Sequence, residues 1–175
     1  MAKIGNMIPE LLNAYNVYLK GKVLGVSGEV ELPELEALNE TIEAAGVLGE
    51  IEVPATGHFG STKVKIPFAI LHEDVAKLMN TTAALELTLR GSMQYMDKKT
   101  SATKDIPVKV VIRGKATTST LGTFAKGKKG EPEIEVETFY LKVDVNGSNV
   151  LELDKLNFKY KVNGVDLLAK IRKNI

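Results

Sequence analysis

The sequence predicts a mainly β protein, built from two packed antiparallel β-sheets in a sandwich-like or barrel-like arrangement with one short flanking α-helix. Apolar and polar residues alternate along much of the 175-residue chain, which is typical of strands with one buried and one wet face. Apolar residues make up 44% of the chain and charged residues 26%, enough for a hydrophobic core. The length favours a single domain over residues 1–175.

The alternation is clearest in four segments that we predict to be strands. These are residues 64–70, 85–89, 108–112 and 158–162. Strands with one polar face are typical of antiparallel sheets. Asn146-Gly147 and Asn163-Gly164 are the dipeptides that tight two-residue hairpin turns prefer, so we expect a turn at each.

The alternation changes phase within residues 133–145. Ile134 and Val136 share one parity, whereas Phe139, Leu141 and Val143 have the other. Because successive strand residues point to opposite faces, this switch predicts a β-bulge or a long strand that serves two cores.

Helical patterns are few. The best lies at residues 72–79, where Val75 and Leu78 share a stripe and acidic residues occupy the first turn. Residues 166–173 allow a second short helix. Residues 33–45 fit either a helix or an extended arm.

Charge is balanced overall and uneven along the chain. There are 23 Lys and Arg against 22 Asp and Glu, a net charge of +1, so no basic excess indicates a nucleic-acid-binding protein. Residues 23–62 nevertheless carry eight Glu and no Lys or Arg, whereas residues 63–130 are basic. Two interpretations are open: the runs are solvated faces with no partner, as is usual, or patches of opposite sign let copies meet head to tail and build rings or filaments.

No catalytic or metal-binding pattern stands out. The chain has no Cys, and His58 and His72 lack metal-ligand spacing. Residues 122–129 match G-x-x-x-x-G-K, but Lys129 stands where a phosphate-binding loop needs Ser or Thr. What remains there is a flexible basic loop. We therefore expect no enzyme, no cofactor and no metal site.

No targeting or membrane segment is evident. The first residues lack the apolar region of a secretory signal. The longest apolar run, residues 66–71, is far shorter than the roughly 20 residues of a transmembrane helix. We expect a soluble protein without a membrane anchor.

The C-terminal third resembles a known family. Its most specific part is the turn Asn163, Gly164, Val165 and Asp166, followed by Arg172. Further matching segments are residues 138–143, 151–157, 16–21, 32–35 with Gly46, and 112–114. Together they resemble the major tail tube protein of contractile-tailed bacteriophages and contractile (R-type) bacteriocin particles. We interpret the Asn163–Asp166 turn as fold-determining rather than as a binding site.

The resemblance implies a structural subunit that self-assembles into hexameric rings, stacked as the inner tube of a contractile injection apparatus. A contracting sheath drives such a tube through the bacterial envelope. The implied partners are further copies, the tail sheath protein, baseplate and terminator proteins, and DNA that passes through the lumen without sequence-specific binding. The subunit is expected to be made in the bacterial cytoplasm and to become part of a virion tail or a released particle.

An acidic arm at about residues 31–50 and two basic loops, one of them at about 120–131, are the expected contact elements. Our hypothesis is that they meet across ring or stacking contacts. The acidic residues are Glu34, Glu36, Glu40 and Glu43, and the basic residues are Lys98, Lys99, Lys126, Lys128 and Lys129.

Two alternatives remain open from the sequence. One is the related tube protein of a type VI secretion system, over which the C-terminal signature favours the phage-type tube. The other is a monomeric β-sandwich binding module, for instance for carbohydrate. Such modules present an exposed aromatic platform, and this chain has no Trp and only 6% aromatic residues.

Overall fold

The computed structural model describes residues 6–24, 28–43, 46 and 48–175. Its strands are β1 (Met7–Leu19), β2 (Lys22–Leu24), β3 (Ala37–Ile42), β4 (Ile51–Phe59), β5 (Lys63–Pro67), β6 (Leu85–Asp97), β7 (Thr103–Thr120), β8 (Glu133–Val145), β9 (Ser148–Asp154), β10 (Lys159–Val162) and β11 (Val165–Asp166). The helices are α1 (Glu73–Leu78) and α2 (Ala169–Asn174). The predicted mainly β, antiparallel fold is confirmed.

One large sheet has the strand order β11-β10-β9-β8-β7-β6-β1-β2, and β5 pairs with β8 beside this path. Val17 of β1 and Ile66 of β5 belong to one hydrophobic core, although they lie four strands apart along the pairing path. In a flat sheet that separation is about 19 Å. The sheet therefore folds over itself in a sandwich-like arrangement, with β5 and α1 forming a covering layer above the main sheet.

The two longest strands make this fold possible. β8 pairs with β5 through residues 133–137 and with β9 through residues 140–145. At the changeover, Arg113 pairs with Tyr140 and Gly114 with Thr138, so Phe139 is the extra residue of a bulge. The predicted phase switch is confirmed. A Cβ on Gly114 would overlap the carbonyl oxygen of Glu137, so only glycine allows this close approach.

Both predicted hairpin turns are present. Asn146 and Gly147 join β8 to β9, and Asn163 and Gly164 join β10 to β11. All four have positive φ, between 49° and 82°, the conformation that Asn-Gly favours in two-residue hairpins.

The helical predictions have mixed outcomes. α1 confirms the helix expected at residues 72–79, with Val75 and Leu78 buried. A second helix, α2, exists as well. The segment at residues 33–45 is extended where it is described, with β3 at Ala37–Ile42; residues 44 and 45 lie outside the described part.

Candidate functional site

One long edge of the main sheet is open. β2 pairs only with residues 17–19 of β1, so residues 7–16 pair with β6 on one side and with no described strand on the other. Three apolar side chains are exposed along this edge: Ile8 is 39%, Leu11 54% and Leu12 49% exposed. An exposed strand edge offers backbone N–H and C=O groups to a further strand.

Charges of alternating sign cross the face of the main sheet that points away from the core. Lys142, Glu152, Lys161 and Asp166 lie directly opposite one another on β8, β9, β10 and β11. The Lys161 Nζ lies 3.8 Å from Glu152 Oε2. Since each charge faces one of opposite sign, the row is polar with little net field.

Lys159 adds a second cation to Glu152. Its Nζ donates a hydrogen bond of 2.7 Å to Glu152 Oε1, and this bond raises the pKa of the Lys159 ammonium. The ammonium group therefore stays protonated near neutral pH and adds positive charge to this face.

The acidic arm is the β3–β4 hairpin, anchored at its base. The Phe59 ring packs edge-on against Tyr160, with centroids 5.0 Å apart, and Gly60 N–H donates to Glu36 O at 3.0 Å. Gly57 lies directly against the buried Leu168 side chain. The base is therefore fixed to β10 and to the start of α2.

Beyond this base the arm is exposed. The four predicted acidic residues are all exposed: Glu40 and Glu43 lie within the hairpin, where Glu40 pairs with Val53, and Glu34 and Glu36 precede it. Leu48, between the two strands, is fully exposed, and four further large apolar side chains on the strands are exposed by 40–51% of their area. They are Leu38, Ile42, Ile51 and Val53. A hairpin that is both acidic and apolar is unusual for a segment that only faces water.

The structure separates the two predicted basic loops. Lys98 and Lys99 lie in the turn between β6 and β7, whereas residues 126–129 follow the other end of β7. Lys98, Lys99, Lys126, Lys128 and Lys129 therefore do not form one patch. In the first turn, the backbone N–H groups of Lys99 and Thr100 donate to Asp97 Oδ1 and lower the pKa of that carboxyl.

The turn Asn163, Gly164, Val165 and Asp166 makes contacts within the subunit. Asp166 Oδ2 accepts a 2.6 Å bond from Arg172 Nη2, and Arg172 Nη1 donates to Phe158 O at 2.9 Å. The guanidinium lowers the pKa of the Asp166 carboxyl. The turn thus ties α2 to the β10–β11 hairpin.

Sequence reasoning missed an apolar groove of about 460 Å³. It lies where the core face of β1, β6 and β7 continues beyond the covering layer, and its lining includes Leu12, Tyr15, Val30, Met93 and Val108. Leu89 and Met93 have the parity of the core face, which was the sequence signal for an apolar surface here. This parity does not show where the covering layer ends, so it could not predict that the surface stays open.

Metal-binding clusters and membrane-spanning helices are both absent from the described residues. These residues contain no cluster of three or more His, Cys, Asp or Glu side chains that could hold a metal ion. Within the same part of the chain, neither helix has the length and apolar character needed to cross a membrane.

A model of the phage tail tube protein FII family matches residues 9–175. The chain belongs to this family. It is 29% identical over 170 residues to the tail tube protein of Escherichia phage P2, an alignment covering 96% of this chain and 98% of that protein. Family membership makes the chain a structural tail tube protein of a contractile tail or particle rather than an enzyme, as the resemblance implied.

Two solved structures share the fold. One is the PVC sheath/tube terminator of an extracellular contractile injection system, with a TM-score of 0.57 at 11% identity, covering 78% of this chain and 97% of that one. The other belongs to the PVC sheath-tube complex, with a TM-score of 0.50 at 11% identity, covering 74% of this chain and 87% of that one.

Proposed function

We propose that this tail tube subunit joins edge to edge into hexameric rings, which stack into the inner tube of a contractile injection apparatus. Contraction of a surrounding sheath then drives the tube through a bacterial envelope. The observation that carries the proposal is the open edge of β1 at residues 7–16. A ring is the arrangement in which every such edge gains a partner, because the sheet closes on itself.

Edge pairing has a favourable energy on two counts. Each backbone hydrogen bond to a neighbouring strand contributes about 0.5–1.5 kcal/mol net. Apolar area removed from water adds about 25 cal/mol per Å², and Ile8, Leu11 and Leu12 supply such area. Repeated around a ring, these terms stabilise the closed form over the monomer.

The charged face of the sheet is the one we assign to the lumen. The covering layer of β5 and α1 occupies the opposite face, so a tube with that layer inside would leave little room for a channel. A face of alternating Lys142, Glu152, Lys161 and Asp166 holds water and has no strong net field. DNA in such a lumen slides without sequence-specific binding, because among the described residues this face is a sheet surface and carries no element that enters a DNA groove.

Stacking is assigned to the acidic arm. The groove beside β6 and β7 is apolar, and the turn with Lys98 and Lys99 lies at the end of the same two strands. The arm offers the matching chemistry: apolar side chains flanked by Glu40 and Glu43. In this arrangement the arm of one copy enters the groove of a copy in the next ring, and baseplate and terminator proteins cap the two ends.

A single substitution tests the edge pairing. Leu11→Glu places a charge on the open edge, where it is exposed in the monomer and desolvated in the ring. We expect a folded monomer with an unchanged melting temperature and no rings in negative-stain images or light scattering. Leu156→Glu is the matched control, because Leu156 is 77% exposed in the β9–β10 turn. Normal tubes from Leu11→Glu would contradict edge pairing through β1.

A further inference from the structure

The segment after β7 exposes an aromatic ring that is not packed into the core of the subunit. Phe124 is 99% exposed, beside Leu121 at 60% and Ile70 at 59%. With Leu71 and Ala125 these residues line a shallow recess of about 130 Å³. Contiguous exposed apolar side chains mark a surface that contacts another protein.

The basic loop that the sequence predicts carries Phe124 and is closed at its base by hydrogen bonds. Thr123 N–H donates to Gly130 O at 2.6 Å, and Gly130 N–H donates to Ala69 O at 2.9 Å. Gly122 has a φ of +78°, and a Cβ there would overlap the Gly130 carbonyl. Hydrogen bonds therefore order the base of the loop that carries the exposed Phe124, which lowers the entropy cost of using the loop in a contact.

The charge around Phe124 is positive. Lys126 and Lys128 are exposed in the same loop, and Lys128 lines the recess. Glu131 is the acidic residue of the segment. A partner that fits this surface has an apolar recess for the ring and carboxylates around it.

The position of the loop decides which partner meets it. The Gly130 and Glu131 N–H groups donate to Ala69 O, which ties the loop to the segment between β5 and α1, so it belongs to the covering layer. With the charged face toward the lumen, this layer is the outer surface of the tube. In the proposed function, edge pairing and the arm supply the contacts between copies, and the loop on the outer surface faces the protein that surrounds the tube.

Resting on the proposed function, we propose that the loop at residues 121–131 is the contact surface for the tail sheath protein. Phe124 enters an apolar recess on a sheath subunit, and Lys126 and Lys128 pair with carboxylates at its rim.

The test uses pre-formed tubes and the purified tail sheath protein of the same particle. We compare Phe124→Ser, Lys126→Glu/Lys128→Glu and a charge-matched control in α2, Lys170→Glu/Lys173→Glu. Co-sedimentation measures the sheath protein bound per tube. We expect both loop variants to form tubes of normal diameter and to bind at least tenfold less sheath protein, with the control unchanged.

Three results would overturn the assignment. They are normal sheath binding by both loop variants, an equal loss in the control, or folded loop variants that make no tubes, which would place the loop between copies. A wild-type protein that forms no tubes contradicts the proposed function itself, a distinct outcome that is seen before any sheath protein is added.

Discussion

Gly57 shows how a single residue joins the arm to the body of the subunit. Its φ is +78°, and a Cβ there would lie 2.6 Å from Leu168 Cδ2. We predict that Gly57→Ala lowers the free energy of unfolding by about 2–4 kcal/mol, from backbone strain and overpacking combined. Thermal unfolding of the monomer measures the change.

The chain offers a matched control for that substitution. Gly127 has nearly the same φ, +77°, but a Cβ added there would meet no atom within 4 Å. Gly127→Ala therefore reports the strain alone, about 1–2 kcal/mol. Equal losses for the two variants would show that the contact with Leu168 has no energetic role.

Asp166 gives the C-terminal region a pH dependence. Arg172 lowers the pKa of Asp166 below its ordinary value of 3.8, so the ion pair stabilises the fold above that value. The stabilisation is lost as the pH falls through the lowered pKa. We predict that wild type exceeds Asp166→Asn in stability at pH 7 and that the gap closes in acid, as measured by denaturant unfolding across about pH 2–7. A gap that stays constant with pH would rule out the pair as its source.

At the scale of elements, we expect the negative charge of the acidic arm to control assembly. We predict that Glu40→Lys/Glu43→Lys blocks tube growth and leaves the monomer's melting temperature unchanged, because both side chains are exposed. Glu40→Gln/Glu43→Gln should weaken growth less, since it removes attraction without adding repulsion. Turbidity during polymerisation measures both, and tubes of normal length from the Lys variant would refute the assignment of the arm to stacking.

Several strands could be predicted from the local alternation of apolar and polar residues. Alternation located β6, β7 and β8, and the phase switch located the bulge at Phe139, because a buried face imposes its period on the sequence. In the arm the same pattern left a helix and an extended segment both open. Leu38 and Ile42 are spaced as in a helix, yet they lie exposed on β3, so no core within the subunit fixes their period.

Sequence reasoning also grouped the basic residues without knowing their separation. Lys99 and Lys126 are 27 positions apart in the chain, and β7 fills most of that interval. A strand of 18 residues spans about 60 Å if straight, so only the fold shows that the two loops lie at opposite ends. The groove could not be predicted from the sequence either, because its position depends on where the covering layer ends in the fold.

At the scale of the whole molecule, the two faces of the main sheet have different surroundings in a tube. Because the chain has no Cys, an introduced Cys is its only thiol, and the reactivity of that thiol measures how accessible each face is. Lys109→Cys on the charged face should react with a bulky maleimide in the monomer and be protected in tubes. Ala76→Cys on α1 should react in both states. Protection of Ala76→Cys instead of Lys109→Cys would reverse the assignment of the lumen.

The central claim is that this chain builds a tube from its own copies through open sheet edges. Negative-stain electron microscopy of the concentrated wild-type protein, first alone and then with pre-formed tube ends, tests it most directly. The account predicts rings or tubes with a central channel, and a light-scattering mass that is a multiple of the hexamer. A protein that stays monomeric even when tube ends are supplied would contradict it.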